Sequence, residues 1–180
     1  MDFENVLKRI INDFERSRVK YALIGGFALG LWGVVRATAD LDFLIDKEKC
    51  LKMKDIMRKH KYKCFYEDDN VAQYKGEEYL LGEIDFLYAF RKPSKEMLKR
   101  CVVRKIFDNK ITIKVLIPED LIGLKVQAVV NNPSRKSMDW SDIEQLAEAN
   151  KKNIKWDIIK KHFLLFDLDA DFNRLRDKNG

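Results

Sequence analysis

The sequence predicts an α/β fold in which short strands alternate with helices up to about residue 117 and helices alone follow. Three observations carry this. Apolar runs of strand length, such as Tyr21–Ile24 and Leu41–Ile45, are separated by stripes with helical period. A strand-like run ends in a double glycine, Gly25-Gly26, which suits a tight strand-to-helix turn. From Pro118 onward the pattern is helical, opening with a proline at a helix start. Periodicity by itself reaches no further than this order of elements.

Taken in order, Phe3, Val6, Leu7, Ile10, Ile11 and Phe14 form a helical stripe over residues 3–17. Residues 21–24 read as a short buried strand, and 27–32 as a short helix that starts at the glycines. Residues 41–45 form the next strand, followed by a helix over 47–59 with Leu51, Ile56 and Met57 facing inward. Further strands are expected at 62–66, 71–75 and 84–90, with Asp69-Asn70 as a turn. Residues 102–107 and 111–115 form a hairpin across Asp108-Asn109-Lys110. A helix over 119–130 is broken by Asn132-Pro133. Ser141-Asp-Ile-Glu144 reads as a capping box that opens a helix reaching Asn150. Another helix is expected over 154–166, and the charged tail from 167 to 180 is expected to fray.

At 180 residues the chain is expected to be one globular unit, with a core over 1–117 and a helical extension over 118–180. Its longest uncharged run, Tyr21 to Val35, is too short for a membrane span and holds four of the eight glycines. No membrane association is expected. The N-terminal Met1-Asp-Phe-Glu lacks the basic-then-apolar order of a signal peptide. Cys50, Cys64 and Cys101 are scattered and odd in number, which argues against a disulfide framework or a structural zinc site and for a reducing cytoplasm.

Charge is unevenly distributed. Residues 47–63 carry eight basic and two acidic side chains, 64–90 carry one basic and seven acidic, and 91–114 carry nine basic and two acidic. Basic blocks suit a polyanion such as a nucleoside triphosphate (NTP) or RNA. For 47–63 a solvated lysine face is the preferred reading; for 91–114 the two readings stand level.

The chemistry is concentrated in Asp40, Asp42 and Asp85. Side chains alternate along a strand, so Asp40 and Asp42 share a face, about 6.5–7 Å apart along the chain, while Leu41, Phe43 and Ile45 take the opposite, buried one. Two like charges on one face repel unless a cation lies between them, and hard oxygen ligands match a divalent ion such as magnesium. In Gly82-Glu-Ile-Asp-Phe-Leu-Tyr, Asp85 stands between buried Ile84 and Phe86. If that strand lies beside 41–45, Asp85 completes a three-acid cluster. Gly25 and Gly26 let backbone N–H groups approach phosphate, and a helix start favours anions. The P-loop pattern G-x-x-x-x-G-K-S/T and the dinucleotide pattern G-x-G-x-x-G are both absent; Asp46 lies 20 residues after Gly26, but a dinucleotide site would leave Asp40 and Asp42 unexplained.

Gly-Gly, thirteen residues, then Asp-Leu-Asp, with a later lone strand aspartate, resembles the DNA polymerase beta-like nucleotidyltransferase superfamily. The fuller string Gly25-Gly-Phe-Ala-Leu, Gly33, Arg36-x-Thr38-x-Asp40-Leu-Asp42-Phe-Leu-Ile looks like its AbiEii-type abortive-infection toxins and related uncharacterised branches. Ile117-Pro-Glu-Asp-Leu-Ile-Gly-Leu-Lys125-Val-Gln-Ala and Arg135-x-x-x-Asp139-x-x-Asp142-Ile-x-x-Leu are similar to the helical segment of those branches. The likeness spans about residues 20–150. Many relatives have Gly-Ser where this chain has Gly25-Gly26, and Ser where it has Ala39.

The resemblance implies a mixed, twisted β-sheet flanked by helices with a C-terminal helical extension. It implies a transferase that moves NMP from an NTP to an acceptor hydroxyl and releases pyrophosphate. Asp40 and Asp42 would hold two Mg²⁺ ions on the triphosphate, and Asp85 would ligate the second and position or deprotonate the acceptor. Gly25 and Gly26 would cradle phosphates. Lys125, in an apolar stripe, and Arg36 are candidate phosphate contacts; Thr38 orders the loop or contacts nucleotide. Arg135 and Asp139 read as structural partners, and Trp32, Trp140 and Trp156 as core packing. The acceptor stays open between tRNA or other RNA, a protein hydroxyl and an aminoglycoside-type small molecule. A cognate antitoxin or toxin protein is a possible partner. A catalytically silent nucleotide-binding or toxin–antitoxin interaction module is the alternative of another class.

Overall fold

The computed structural model describes residues 1–179. The first helix, α1 (Phe3–Arg16), is capped by Asp2, whose Oδ1 accepts the Asn5 N–H at 3.1 Å. Its stripe of Val6, Leu7, Ile10, Ile11 and Phe14 is buried. The strands are β1 (Tyr21–Ile24), β2 (Asp40–Asp46), β3 (Tyr62–Glu67), β4 (Val71–Gly76), β5 (Glu83–Ala89), β6 (Val102–Ile106) and β7 (Ile111–Val115). Between them lie α2 (Gly25–Leu31), α3 (Cys50–Lys59) and α4 (Lys92–Arg100). The last four helices are α5 (Pro118–Asn131), α6 (Lys136–Asn150), α7 (Trp156–Leu164) and α8 (Asp169–Asn179). The expected α/β class with a mixed sheet and helices at the C-terminal end is what the chain adopts.

The chain divides into two compact units. The first comprises Met1–Phe27 and Ala37–Leu116, and holds the seven-stranded sheet in the order β3-β4-β5-β2-β1-β7-β6. β2 runs parallel to β5 and β1 parallel to β7; the other pairs are antiparallel. The core lies under α1. The Phe14 ring meets Tyr21, Phe43 and Phe86 at centroid distances of 5.2, 5.9 and 6.2 Å. Alternation along β2 and β5 turns Phe43 and Phe86 into this core and sends Asp42 and Asp85 to the other face.

The second unit comprises Ala28–Arg36 and the chain from Ile117. Trp140, Phe163, Phe172 and Trp156 form a chain of edge-to-face rings there, 5.9–6.3 Å apart. The buried acids of α5 are satisfied within the unit: Glu119 Oε1 accepts the Lys155 N–H at 2.8 Å, and Asp120 Oδ1 lies 2.9 Å from His162 Nε2. Trp140 and Trp156 are packing residues.

Several local expectations are corrected. Leu51 is 72% exposed rather than inward. The buried stripe of α3 is Met53, Ile56 and Met57, and a residue two places before Met53 lies on the opposite side of the helix. α6 begins at Lys136, so Ser141 is mid-helix and caps nothing; its Oγ accepts from Gln145 Nε2 at 3.0 Å. The tail does not fray across 169–179: it forms α8, held by buried Phe172 and Leu175, and only Gly180 lies outside the described residues. α4 occupies a stretch for which sequence indicated only positive charge. Among the described residues no helix is long and apolar enough to cross a membrane.

One buried pairing in the first unit yields a pH prediction. The Lys59 ammonium donates to Asp13 Oδ2 at 2.7 Å and holds that carboxyl below its ordinary value; burial opposes this, and His60 Nε2, also at 2.7 Å, adds to the lowering. A carboxyl depressed on folding contributes stability above its unfolded pKa, and that contribution is lost as pH falls through the folded value. Asp13→Asn is therefore expected to lower the melting temperature at neutral pH, with the gap to wild type closing on acidification in circular-dichroism melts. A gap that widened in acid would contradict this account.

Candidate active site

β1 delivers the chain to Gly25, whose φ of +64° lies in the left-handed region. Ile24 is the register partner of Asp42, so the turn begins beside that carboxylate. A Cβ on Gly25 would lie 1.8 Å from Asp42 Oδ2, which means that the backbone itself is packed against the acid. A Cβ on Gly26 would lie 2.8 Å from Thr38 Oγ1 and 2.9 Å from Thr38 Cβ. Thr38 thus fills the space that a side chain at position 26 would need. Its hydroxyl donates to Asp40 Oδ1 at 2.9 Å, tying the loop before β2 to the first acid.

The parallel pairing of β2 with β5 sets Asp42 opposite Asp85 and Asp40 opposite Glu83. Asp40, Asp42 and Asp85 each offer an oxygen within 4.8 Å of the others, and all three are half-buried. Such crowding of like charge in low dielectric is unfavourable without a counter-charge. Burial, first of all, pushes the Asp85 carboxyl above its ordinary value; the Gln73 hydrogen bond opposes this, and the charges of Asp40 and Glu83 reinforce it. Asp85 Oδ2 accepts from Gln73 Nε2 at 2.8 Å, while Oδ1 is buried with no hydrogen-bond partner. A buried carboxylate oxygen without a donor, inside a set of three carboxylates, suits a hard divalent cation.

The structure thus brings Gly25, Gly26, Thr38, Asp40, Asp42 and Asp85 together in the first unit. Arg36 and Lys125 belong to the second, where both reach Asp142. Arg36 Nη1 donates to Asp142 Oδ2, and Lys125 Nζ lies 2.7 Å from both Asp142 Oδ2 and Asp139 Oδ1. Arg135 Nε stands 3.7 Å from Asp139 Oδ2. Asp139 and Asp142 are nearly inaccessible, so this is a buried two-cation, two-anion network rather than a surface pair. Removing one member of such a network leaves charge uncompensated. Asp142→Ala is expected to cost about 3 kcal/mol in urea unfolding; a loss below about 1 kcal/mol would show the pairing to be effectively solvated.

The sequence motif marks Asp142 without naming its partners, which are 17 and 106 positions away. Gln73 had carried no assignment; its one signal is its place as the polar residue between Ala72 and Tyr74 in an alternating strand.

Part of the charge pattern is answered within the fold. Lys47, Lys54, Lys61 and Lys63 pair with Asp69, Glu67, Glu78 and Glu77 of the acidic block. In the second basic block Lys95, Lys99, Lys110 and Lys114 pair with Glu48, Glu96, Glu4 and Glu15. Most of these contacts are exposed and individually weak. Arg104 and Lys105 lie at exposed positions of edge strand β6.

With this geometry in hand, comparison with known proteins is informative. Residues 6–177 match the family described as nucleotidyl transferase AbiEii toxin, Type IV TA system. Comparison with curated proteins gave no match. Among solved structures, the chain is similar to the antibiotic-resistance factor ANT(2'')-Ia, with a TM-score of 0.65 at 15% identity, covering 99% of this chain and 98% of that one. It is also similar to the lincosamide antibiotic adenylyltransferase LnuA, with a TM-score of 0.56 at 18% identity, covering 81% and 97%. A nucleotidyltransferase-like protein from Paracoccidioides brasiliensis gives a TM-score of 0.58 at 14% identity, covering 97% and 91%. At these identities the structural likeness establishes the shared fold.

Proposed function

The chain belongs to the AbiEii nucleotidyl transferase toxin family, and from that premise we propose a Mg²⁺-dependent transfer of NMP from an NTP to an acceptor hydroxyl with release of pyrophosphate. Nucleotidyl transfer is the family's reaction class. The observation that carries the finer reading is the meeting of three carboxylates within 4.8 Å, one with a buried oxygen that no protein group satisfies.

In this reading Asp40, Asp42 and Asp85 would hold two divalent ions, which would neutralise the triphosphate and stabilise the attacking and leaving oxygens. The chain's own residues do the rest. Asp85 would position the acceptor hydroxyl and take its proton as the oxygen attacks the α-phosphorus. The α,β-bridging oxygen leaves with the pyrophosphate. Gly25 and Gly26 would cradle phosphates through their backbone N–H groups; having no side chains, they let the turn pack against Asp42 and Thr38, and Thr38 holds Asp40 through its hydroxyl. Arg36 and Lys125 stay candidate phosphate contacts of the family pattern, and each is paired with Asp142 within the second unit. Most of the rate comes from positioning and charge neutralisation.

We take the acceptor to be RNA, of the tRNA class, because the 91–114 block carries nine basic side chains against two acidic ones, a balance that suits a polyanion. The toxin–antitoxin designation of the family favours action as the toxic partner of a cognate antitoxin in the cytoplasm. A small-molecule acceptor is the second reading, because the similar ANT(2'')-Ia has been seen with adenylyl-2''-tobramycin. The test is transfer of label from each α-³²P-NTP with Mg²⁺ to tRNA, total protein and aminoglycosides, with Asp40→Ala/Asp42→Ala as control. Label in tRNA that vanishes in the control supports the reading. Label in another pool reassigns the acceptor. Metal-dependent NTP binding without transfer to any pool favours a silent binding module.

A further inference from the structure

Gln73 lies in a row of side chains that crosses four strands. Ile24, Asp42, Asp85 and Gln73 are successive register partners on β1, β2, β5 and β4, and so share one face of the sheet. The residues on either side of Gln73, Ala72 and Tyr74, are buried on the opposite face and anchor the strand. Its Nε2 donates to Asp85 Oδ2 at 2.8 Å, so one carboxylate oxygen is engaged and the other, Oδ1, is left buried and without a donor.

The chemistry of position 73 is specific. A carboxamide donates without carrying charge, so it can hold a carboxylate without competing electrostatically with a cation, as lysine or arginine would. With Oδ2 held, Asp85 has one oxygen to offer instead of two. One-oxygen ligation suits the compact octahedral shell of Mg²⁺, whereas Ca²⁺ accepts two-oxygen ligation at longer distances. We propose that Gln73 is a positioning residue that restricts Asp85 to ligation through Oδ1 and thereby biases the three-acid site toward Mg²⁺ over Ca²⁺. This rests on the metal-dependent reading of the site given above.

The test uses the full chain and Mn²⁺ as probe, with binding followed by electron paramagnetic resonance and displacement by Mg²⁺ or Ca²⁺. Gln73→Met keeps side-chain length but cannot donate; Gln73→Leu, also uncharged and unable to donate, carries the comparison if the first variant does not fold. The expected result is that Mg²⁺ displaces Mn²⁺ about tenfold less well from the variant, the usual scale for losing an outer-shell partner. Ca²⁺ displacement changes much less. A merely structural role would weaken both ions alike, which would overturn the proposal. Unchanged displacement by both ions in the Gln73 variant, with weakening of both in Asp85→Asn, would overturn it while leaving the metal reading intact. Failure of wild type to bind Mn²⁺ would remove both.

Discussion

Asp42→Ala is expected to reduce nucleotidyl transfer by roughly a thousandfold, the rate equivalent of about 4 kcal/mol, while leaving the chain folded and, in EDTA, slightly more stable than wild type. The two effects have one cause. Asp42 stands between Asp40 on its own strand and Asp85 on the neighbouring one, all with oxygens within 4.8 Å. Without a cation that arrangement is a local excess of negative charge, and deleting its central member relieves repulsion by something on the order of 1 kcal/mol. With a cation the same charges become its ligands, and losing one removes both affinity and the neutralisation of the triphosphate. Mg²⁺ should therefore raise the melting temperature of wild type and not of the variant, because only the former binds it in the native state. Thermal melts in EDTA and in Mg²⁺, alongside label transfer, separate the alternatives. A variant that loses activity and also melts lower in EDTA would make Asp42 a structural residue. A variant that keeps activity would remove the acid cluster from the chemistry altogether.

The features readable in the sequence were those with a short-range cause. Alternation along 40–46 and 83–89 forces Asp42 and Asp85 to the face opposite Phe43 and Phe86, so once the two strands are neighbours the acids must meet. Proline at the start of α5 likewise marks a boundary locally. What escaped depended on partners distant in sequence. Asp142 looks like part of a capping box until Arg36, 106 residues earlier, is seen to reach it. Gln73 is one polar residue in a strand until β4 is known to flank β5 in the register that sets it opposite Asp85. Ile56 and Met57 face inward as expected, but Leu51 stands five residues before Ile56, about 140° round the helix, and Met53 takes the third buried place. The tail was misjudged because two apolar residues, Phe172 and Leu175, suffice to hold α8 when an aromatic cluster is there to receive them. The lysine blocks show the converse error of reading a pattern too far. Charge that looks like an invitation to a polyanion along the chain is in part answered by glutamates, two of them across the β3–β4 hairpin.

The second large effect is expected at Gly25. Gly25→Ala should lower stability by about 2–3 kcal/mol, combining left-handed backbone strain with overpacking, and should reduce transfer nearly as far as Asp42→Ala does. The added Cβ would fall 1.8 Å from Asp42 Oδ2, 2.3 Å from its Cγ and 2.7 Å from its Cβ. Rotating the carboxylate away relieves only the first two contacts; the third requires β2 to shift against the turn. Because β2 also carries Asp40 and is paired along its length with β5, that shift would disturb every member of the cluster. The signs of the two stability changes thus oppose each other at adjacent positions: removing the carboxylate stabilises the metal-free chain, and crowding it destabilises. A double-mutant cycle isolates the clash. In an Asp42→Gly background the extra methyl at position 25 meets no side chain there, so Gly25→Ala should cost only the backbone term, about 1 kcal/mol. An equal cost in both backgrounds would mean that the glycine is required for its φ of +64° alone and not for its contact with the acid. A cost that falls in the glycine background would show that close approach of backbone to carboxylate is what excludes every other residue from position 25.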